Sequence, residues 1–313
     1  MAKYRSALPQ LGEGIFVCYT GMETDLIFNR GIDLPGFASY PLLETEEGRE
    51  TLRGYYAQLI DMAQQMGVGA LLESVTWVAN RDRGSAIGYS PETLRELNIA
   101  AIDLTARVRE EKGDLPTVLS AQMGPRGDGY APTERMTAGE AETYHAEQME
   151  TLSETEADLV SAFTLCYPEE ATGIVRAGQQ FDMPVAIAFT VETDGRLPTG
   201  MPLKQAIETV DNATDGGAAY FLVNCAHPDH FSGVLADEQW MQRLRGVVAN
   251  ASRCSHAELD EAEELDDGDP DELGVLVGGL RKKFPHFTVV GGCCGTDIRH
   301  LRRIAEQAQT ATA

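Results

Sequence analysis

The chain has 313 residues, of which 43% are hydrophobic, and its formal net charge at pH 7 is −24. A chain this acidic repels nucleic acid and anionic membranes, and no stretch reaches the ~20 apolar residues of a membrane helix. We therefore predict a globular protein with no nucleic acid and no membrane among its main partners. The acidity also agrees with a source rich in salt. Residues 1–12 contain no apolar run, which predicts no signal peptide and a cytoplasmic protein.

Eight short apolar runs alternate with stretches of helical spacing along the chain. The predicted strands cover residues 14–19, 70–75, 117–121, 158–164, 184–189, 218–224, 246–249 and 288–292. The helical pattern is clearest after the first run, where apolar residues recur every three to four positions at Leu52, Tyr55, Tyr56, Leu59, Ile60 and Ala63. Such alternation is typical of a parallel sheet covered by helices.

Capping residues mark several helix starts. Ser90 precedes Pro91 at one start, and Thr137 forms a capping box with Glu140 at another. Thr296 is predicted to cap the last helix. Eight strand–helix units predict an α/β fold, a (β/α)8 or TIM barrel, that forms a single domain over residues 1–313. A doubly wound open sheet is the alternative, but no Gly-x-Gly-x-x-Gly motif follows the first strand.

Two segments stand outside this alternation. Residues 29–43 form a long connection with several glycines and prolines after the first strand. Residues 258–272 are strongly acidic, which predicts an exposed loop before a helix. A calcium-binding loop is the alternative for the acidic segment, but its spacing does not match an EF-hand.

The cysteines carry the clearest chemical signal. Cys225 follows the sixth predicted strand, and Cys293 and Cys294 follow the eighth between glycines. Because the carboxyl ends of barrel strands meet at one mouth, we expect these three thiols to converge. The remaining cysteines, Cys18, Cys166 and Cys254, are interpreted as small apolar side chains, although Cys166 lies just past the fourth strand and could also face the mouth.

Three thiolates are a ligand set suited to Zn2+, which prefers soft sulfur in tetrahedral geometry, and they leave one coordination position open. A substrate thiol bound there loses its proton and attacks an electrophilic methyl group. His227 and His230 follow Cys225 closely, but both together would close the open position, so we interpret them as loop residues. A zinc hydrolase is disfavoured because three thiolates donate too much charge for zinc to activate water.

The motif around Cys293 resembles the zinc signature of the homocysteine S-methyltransferase family. Residues 291–296 read Gly-Gly-Cys-Cys-Gly-Thr, and Asn224 with Cys225 resembles the upstream ligand motif of that family. Supporting similarities lie at residues 21–26, at Gly124, Pro125 and Gly127, and at Asp194, Gly195 and Leu197. The resemblance covers nearly the whole chain. It implies a (β/α)8 barrel, zinc on three cysteines, and methyl transfer to homocysteine to give methionine.

The sequence departs from the family where the amino-acid substrate is held. The family's first strand normally ends in Asp-Gly-Gly, whereas Tyr19 begins that triplet here; its fourth strand normally ends in Glu-Thr, whereas Phe163 stands in place of the glutamate. The two missing carboxylates are expected to bind the substrate ammonium through bonds worth roughly 1.5–3 kcal/mol each. Either other acids replace them, or the substrate lacks that ammonium. The residues assigned to substrate binding are Thr24, Asp25, Glu73, Phe163, Glu192 and Asn224.

The methyl donor is expected to be a sulfonium, S-methylmethionine or S-adenosylmethionine, because no folate or cobalamin module follows the last predicted helix. A methylated corrinoid protein is an alternative donor, and a homo-oligomer is left open. The altered ammonium pocket leaves two further alternatives. One is a family member that uses another thiol or donor, and the other is a catalytically silent zinc-binding homologue with a regulatory or storage role.

Overall fold

The computed structural model describes residues 1–310, so residues 311–313 lie outside the description. Its centre is a closed barrel of eight parallel strands, in which each strand pairs with the next and the last pairs with the first. The strands are β1 Phe16–Tyr19, β2 Gly69–Glu73, β3 Thr117–Met123, β4 Leu159–Leu165, β5 Val185–Phe189, β6 Tyr220–Asn224, β7 Leu244–Ala249 and β8 Val289–Gly292. The predicted (β/α)8 barrel is confirmed, and an open doubly wound sheet is excluded because the barrel has no free edge.

Helices cover the outside of the barrel and connect its strands. They are α1 Met22–Thr24, α2 Glu46–Met66, α3 Arg81–Ala86, α4 Pro91–Lys112, α5 Ala138–Ser153, α6 Pro168–Gln180, α7 Leu203–Thr214, α8 Pro228–Phe231, α9 His256–Asp260, α10 Pro270–Lys283 and α11 Ile298–Thr310. Within residues 1–310, none of these helices combines the length and the apolar character needed to cross a membrane.

Two predicted helix starts are confirmed and one is wrong. The Ser90 hydroxyl accepts from the Thr93 amide at the start of α4, and Thr137 forms its capping box at the start of α5. Thr296 does not cap α11, because its hydroxyl donates to the Cys293 carbonyl at 2.6 Å. Asp297 caps that helix instead, since it directly precedes Ile298 and its Oδ1 accepts from the Arg299 amide at 2.8 Å. The Thr296 side chain therefore bonds within the turn that carries the cysteines, although the sequence pattern assigned it to the helix.

The acidic segment is only partly the loop that the sequence predicts. Its first residues belong to α9, whose start is fixed by a capping box between Ser255 and Glu258. The last residues lie in the first turn of α10, where the Asp269 carboxylate accepts from the backbone amides of Asp271 and Glu272. The residues between α9 and α10 form the predicted loop. Hydroxyl and carboxylate caps explain the difference, because they satisfy the free amides of short helices within acidic sequence.

Side chains inside the barrel close its amino-terminal end. Phe16 and Leu71 point inward and pack with Tyr220, the first residue of β6. Gln10 lies below them, fully buried, and its Nε2 donates to the Tyr220 hydroxyl at 3.3 Å. Side chains therefore fill the barrel interior at its amino-terminal end. Groups that meet a substrate must lie at the carboxyl ends of the strands, as is general for this fold.

Candidate active site

Three cysteine sulfurs meet at the carboxyl-terminal mouth of the barrel. Cys225 directly follows β6, and Cys293 and Cys294 directly follow β8. The Cys225 sulfur lies 2.6 Å from that of Cys293 and 3.8 Å from that of Cys294, and all three lie within 4.8 Å of one another. Cys225 and Cys293 are each 3% exposed, whereas Cys294 is partly exposed. The group is therefore buried from below and accessible from the mouth.

The turn that follows β8 depends on glycine at a close approach between strands. A Cβ atom on Gly291 would lie 2.0 Å from the Cys18 carbonyl oxygen of the neighbouring strand. Gly295 has a φ of +76°, a left-handed conformation that favours glycine. The Cys293 amide donates to the Ala249 carbonyl at 2.7 Å, which ties the turn to the end of β7. Glycines on both sides of the cysteine pair thus let it turn inward at the mouth.

Cys225 is held in a left-handed conformation of its own, with φ +49°. Its amide donates to the Val248 carbonyl at 3.1 Å. The side chain of the preceding Asn224 bonds to Thr164 of β4, two strands away and also left-handed. Such backbone strain in non-glycine residues is typical of functional sites. Here it turns the Cys225 sulfur toward the cysteine pair.

Hydrogen bonding within the group makes its sulfurs unequal. The thiols of Cys293 and Cys294 hold the pKa of Cys225 well below its usual value. Burial raises the pKa of Cys293, and the hydrogen bond to Cys225 raises the pKa of Cys294. A buried group of this kind is suited to hold a metal cation, which would replace the remaining thiol protons.

Tyr130 and His256 cover one side of the sulfur group, and sequence analysis missed both. Their rings pack at a centroid distance of 4.3 Å with their planes tilted by 45°. His256 Nε2 lies 2.6 Å from the Cys225 carbonyl oxygen, and Nδ1 lies 3.2 Å from a carboxylate oxygen of Glu192. Burial and the nearby cysteines raise the pKa of Tyr130. Tyr130 stands in the connection between β3 and α5, and His256 begins the short helix α9, so no periodic pattern marks either residue.

Residues 20–308 match the model of the family described as homocysteine S-methyltransferase. This chain belongs to the homocysteine S-methyltransferase family. Membership makes it a methyltransferase. No curated protein aligns with the sequence at a significant level.

Three solved structures that are similar to this chain have the same fold. The oxidized form of the homocysteine methyltransferase MmuM from Escherichia coli has a TM-score of 0.72 and 16% identity, covering 97% of this chain and all of that chain. The metallated form has a TM-score of 0.69 and 16% identity, covering 96% of this chain and 99% of MmuM. The apo form has a TM-score of 0.62 and 15% identity, covering 96% and 98% of the two chains.

The positions at which the family normally carries two carboxylates are apolar or aromatic here. Tyr19 is 8% exposed, and its hydroxyl donates to the Thr296 carbonyl at 3.0 Å. Phe163 points into the barrel below the sulfur group and is 1% exposed. Its carbonyl accepts from the indole nitrogen of Trp77 at 3.2 Å. Neither position can therefore supply a charge to a substrate ammonium.

Two of the residues assigned to substrate binding lie in the connection after β1. The Thr24 hydroxyl donates to the Gly21 carbonyl and accepts from the Gly295 amide at 3.1 Å, so it holds the cysteine turn. Asp25 accepts from Arg30 at 3.3 Å and also from Asn29 and the Tyr55 hydroxyl. The Asp25 carboxylate is thus already paired.

The two assigned glutamates lie at different depths. Glu73 is 4% exposed and accepts from the Cys18 thiol at 3.6 Å inside the barrel. Burial raises the pKa of Glu73 to about 7, and its second carboxylate oxygen has no hydrogen-bond partner. Glu192 lies at the rim, where its side chain is 36% exposed beside His256. The assignment of both to substrate binding stays a prediction.

The other cysteines and histidines near the motifs lie outside the sulfur group. The Cys166 thiol points toward the Asp128 carbonyl at 3.9 Å, and burial raises its pKa to about 12. His227 precedes the short helix α8 and accepts from the Asp229 amide at its start, and burial lowers its pKa to about 4. His230 Nε2 lies 2.8 Å from the Arg253 carbonyl. Among the described residues, the group of potential metal ligands consists of the three predicted cysteines.

Proposed function

We propose that this chain transfers a methyl group from a sulfonium donor to the thiol of homocysteine, giving methionine, with Zn2+ held by Cys225, Cys293 and Cys294. S-methylmethionine and S-adenosylmethionine are the proposed donors. The observation that supports this proposal is the meeting of three cysteine sulfurs within 4.8 Å at the barrel mouth. MmuM, a homocysteine methyltransferase that has also been solved in a metallated form, agrees with it.

The donor set fits zinc in chemistry, and one of its sulfur–sulfur distances fits as well. Sulfurs at ~2.3 Å from zinc stand about 3.8 Å apart in a tetrahedron. The Cys225 and Cys294 sulfurs are 3.8 Å apart, whereas the Cys293 sulfur lies 2.6 Å from Cys225 and would have to move outward. When bound, zinc supplies the Lewis acidity that lowers the pKa of a substrate thiol and keeps its sulfur nucleophilic.

The residues of the chain orient the ligands and shield the reacting sulfur. Asn224 and Thr296 hold the two turns that carry the cysteines. Tyr130 and His256 cover the side of the sulfur group, which limits the access of water. In the reaction, the acceptor sulfur forms a bond to the methyl carbon as the donor's S–CH3 bond breaks, and the donor leaves as a neutral thioether with that electron pair. The acceptor's thiol proton passes to solvent.

The replaced carboxylates favour two alternatives. One is a family member that binds another thiol or donor, and the other is a homologue without turnover. Tyr19 and Phe163 offer no charge to an amino-acid ammonium, so an acceptor without that group is the main rival substrate. A corrinoid protein as methyl donor, a homo-oligomer and a cytoplasmic location stay predictions.

The test is methyl transfer by the zinc-loaded protein from S-methylmethionine to homocysteine, measured as methionine formed. Parallel reactions use S-adenosylmethionine and a methylated corrinoid as donors. We expect turnover with a sulfonium and about one zinc per chain from a three-cysteine site. C293S should lose zinc and turnover, whereas C254S, which alters a cysteine outside the group, should keep both. Turnover by a metal-free protein contradicts the proposal.

A further inference from the structure

Glu23 is a carboxylate at the mouth that the sequence patterns did not mark. It lies in α1, the helical turn directly after β1. Its neighbours on both sides are fixed to the cysteine turn. Gly21 packs against the Cys293 carbonyl, which a Cβ atom would approach to 2.3 Å, and Thr24 bonds to the Gly295 amide. The backbone of Glu23 is therefore held beside the proposed metal ligands.

Ser39 orients the Glu23 carboxylate. Its hydroxyl donates to Glu23 Oε1 at 2.7 Å, and Ser39 is itself 3% exposed. Ser39 belongs to the long connection after β1, to which the sequence gave no role. Burial raises the pKa of Glu23, and the nearby Cys225 charge raises it further. One carboxylate oxygen is thus fixed by a buried hydroxyl.

Glu23 differs from Asp25 and Glu192 in having no basic side chain beside its carboxylate. Asp25 is paired with Arg30, and Glu192 lies beside His256. Within residues 1–310, no nitrogen of a basic side chain lies within 4.0 Å of the Glu23 carboxylate, whose bonded side chain is the neutral Ser39. A partly buried carboxylate without a counter-ion is costly, so this position favours a ligand that brings a positive charge.

We propose that Glu23 binds the ammonium group of an amino-acid thiol acceptor, in place of the carboxylates replaced by Tyr19 and Phe163. The inference rests on the proposed methyl transfer to a thiol and specifies the acceptor's class. A thiol bound at the sulfur group with its ammonium toward Ser39 and Glu23 removes the unpaired charge. Glu23 is then a residue that selects α-amino thiols over thiols without an amino group.

The test compares homocysteine with 4-sulfanylbutanoate, which has the same chain without the amino group. Binding of each thiol to the zinc-loaded protein is measured by calorimetry without donor, and KM and kcat are measured with donor. In E23Q we expect homocysteine to bind about 10- to 100-fold more weakly, as for the loss of one charge-assisted hydrogen bond, and 4-sulfanylbutanoate to bind unchanged. E47Q, which alters an exposed glutamate of α2, is the matched control and should behave as wild type.

Two further variants separate a direct contact from a structural role. E23D should recover part of the preference for homocysteine, because it keeps the charge. S39A should weaken homocysteine binding less than E23Q does, because it loosens the carboxylate without removing it. Zinc content should be unchanged in all of these variants.

Three results overturn the inference. The first is an unchanged affinity of E23Q for homocysteine, and the second is an equal loss of affinity for both thiols. The third is a change confined to the KM of the sulfonium donor, which would assign Glu23 to the donor cation. Failure of the proposed function can be told apart from failure of this inference. If the proposed function is wrong, the wild-type protein itself neither binds the thiols nor forms methionine.

Discussion

The carboxamide of Asn224, at the end of β6, holds the backbone of Thr164 in β4, two strands away around the barrel mouth. Its Oδ1 accepts from the Thr164 amide at 3.0 Å, and its Nδ2 donates to the Thr164 hydroxyl at 2.9 Å. Thr164 has a φ of +64°, which is strained for a β-branched residue, and the β4–β5 register shifts at this point. Both ends of the contact adjoin the site, since Cys225 follows Asn224.

We therefore expect N224A to be less stable than the wild type by about 2–4 kcal/mol, because a buried amide and hydroxyl lose their partner in a strained segment. T164S keeps the amide and the hydroxyl and should retain most of the stability. Urea unfolding gives both values, and zinc content should fall only in N224A. An unchanged free energy of unfolding in N224A would show that Thr164 keeps its conformation without the hydrogen bonds to Asn224.

Gly21 has no room for a side chain beside the cysteine turn. A Cβ atom there would lie 2.3 Å from the Cys293 carbonyl oxygen and 2.9 Å from the Tyr19 ring. G21A should therefore displace the turn and weaken zinc binding by about tenfold or more, a cost of about 1.4 kcal/mol. The control is G54A in α2, where a Cβ atom meets nothing within 4 Å and helix propensity favours alanine. Equal zinc affinities in G21A and G54A would contradict the steric argument.

Glu73 makes the stability of the fold depend on pH. Burial raises its pKa from 4.5 to about 7, so the folded protein keeps this proton longer than the unfolded chain does. The protonated form therefore stabilises the fold fully below pH 4.5, and this contribution is lost as pH rises to about 7. The contribution to the free energy of unfolding that is lost amounts to at most about 3 kcal/mol.

E73Q is neutral throughout this range, so its stability relative to the wild type should increase by about this amount between acidic and neutral pH. The measurement is urea unfolding of both proteins at several pH values, with the exposed substitution E47Q as control. A difference between E73Q and wild type that does not vary with pH would mean that Glu73 titrates as an ordinary exposed carboxyl.

Asp158 stabilises the end of the barrel away from the mouth. Its carboxylate accepts from Arg109 at 3.1 Å and from the amides of Leu119 and Tyr4 at 2.9 and 2.6 Å. D158N should cost about 3–5 kcal/mol, because it removes the buried charge that faces Arg109 and leaves the more exposed Glu156, at 3.5 Å, as the carboxylate partner of that guanidinium. E156Q removes a partner of Arg109 that is 38% exposed and should cost less than about 1 kcal/mol.

Zinc content and the KM for homocysteine should be unchanged in folded D158N, because Asp158 lies just before β4 and the sulfur group lies beyond the opposite ends of the strands. Calorimetric melting and metal analysis on the same sample test both parts. A loss of zinc in D158N at a temperature where it is fully folded would contradict this separation of stability and chemistry.

Part of the candidate site could be predicted because it follows from local pattern and topology. Alternating apolar runs and helices predicted the barrel, and the barrel implied that residues after β6 and β8 meet. The positions of Cys225, Cys293 and Cys294 agree with that expectation. The cap assigned to Thr296 was wrong because local pattern cannot show that its hydroxyl is used by the Cys293 carbonyl.

The sequence by itself determined the eight-unit barrel and the common edge on which the cysteines lie, because both depend on hydrophobic period and strand order. Only the tertiary structure decided which acids face that edge. Glu23 was missed, and Asp25 is paired with Arg30, because side-chain direction and counter-ions in the connections depend on contacts between residues distant in sequence. Tyr130 and His256 meet from two different connections for the same reason. No periodic signal encodes such contacts.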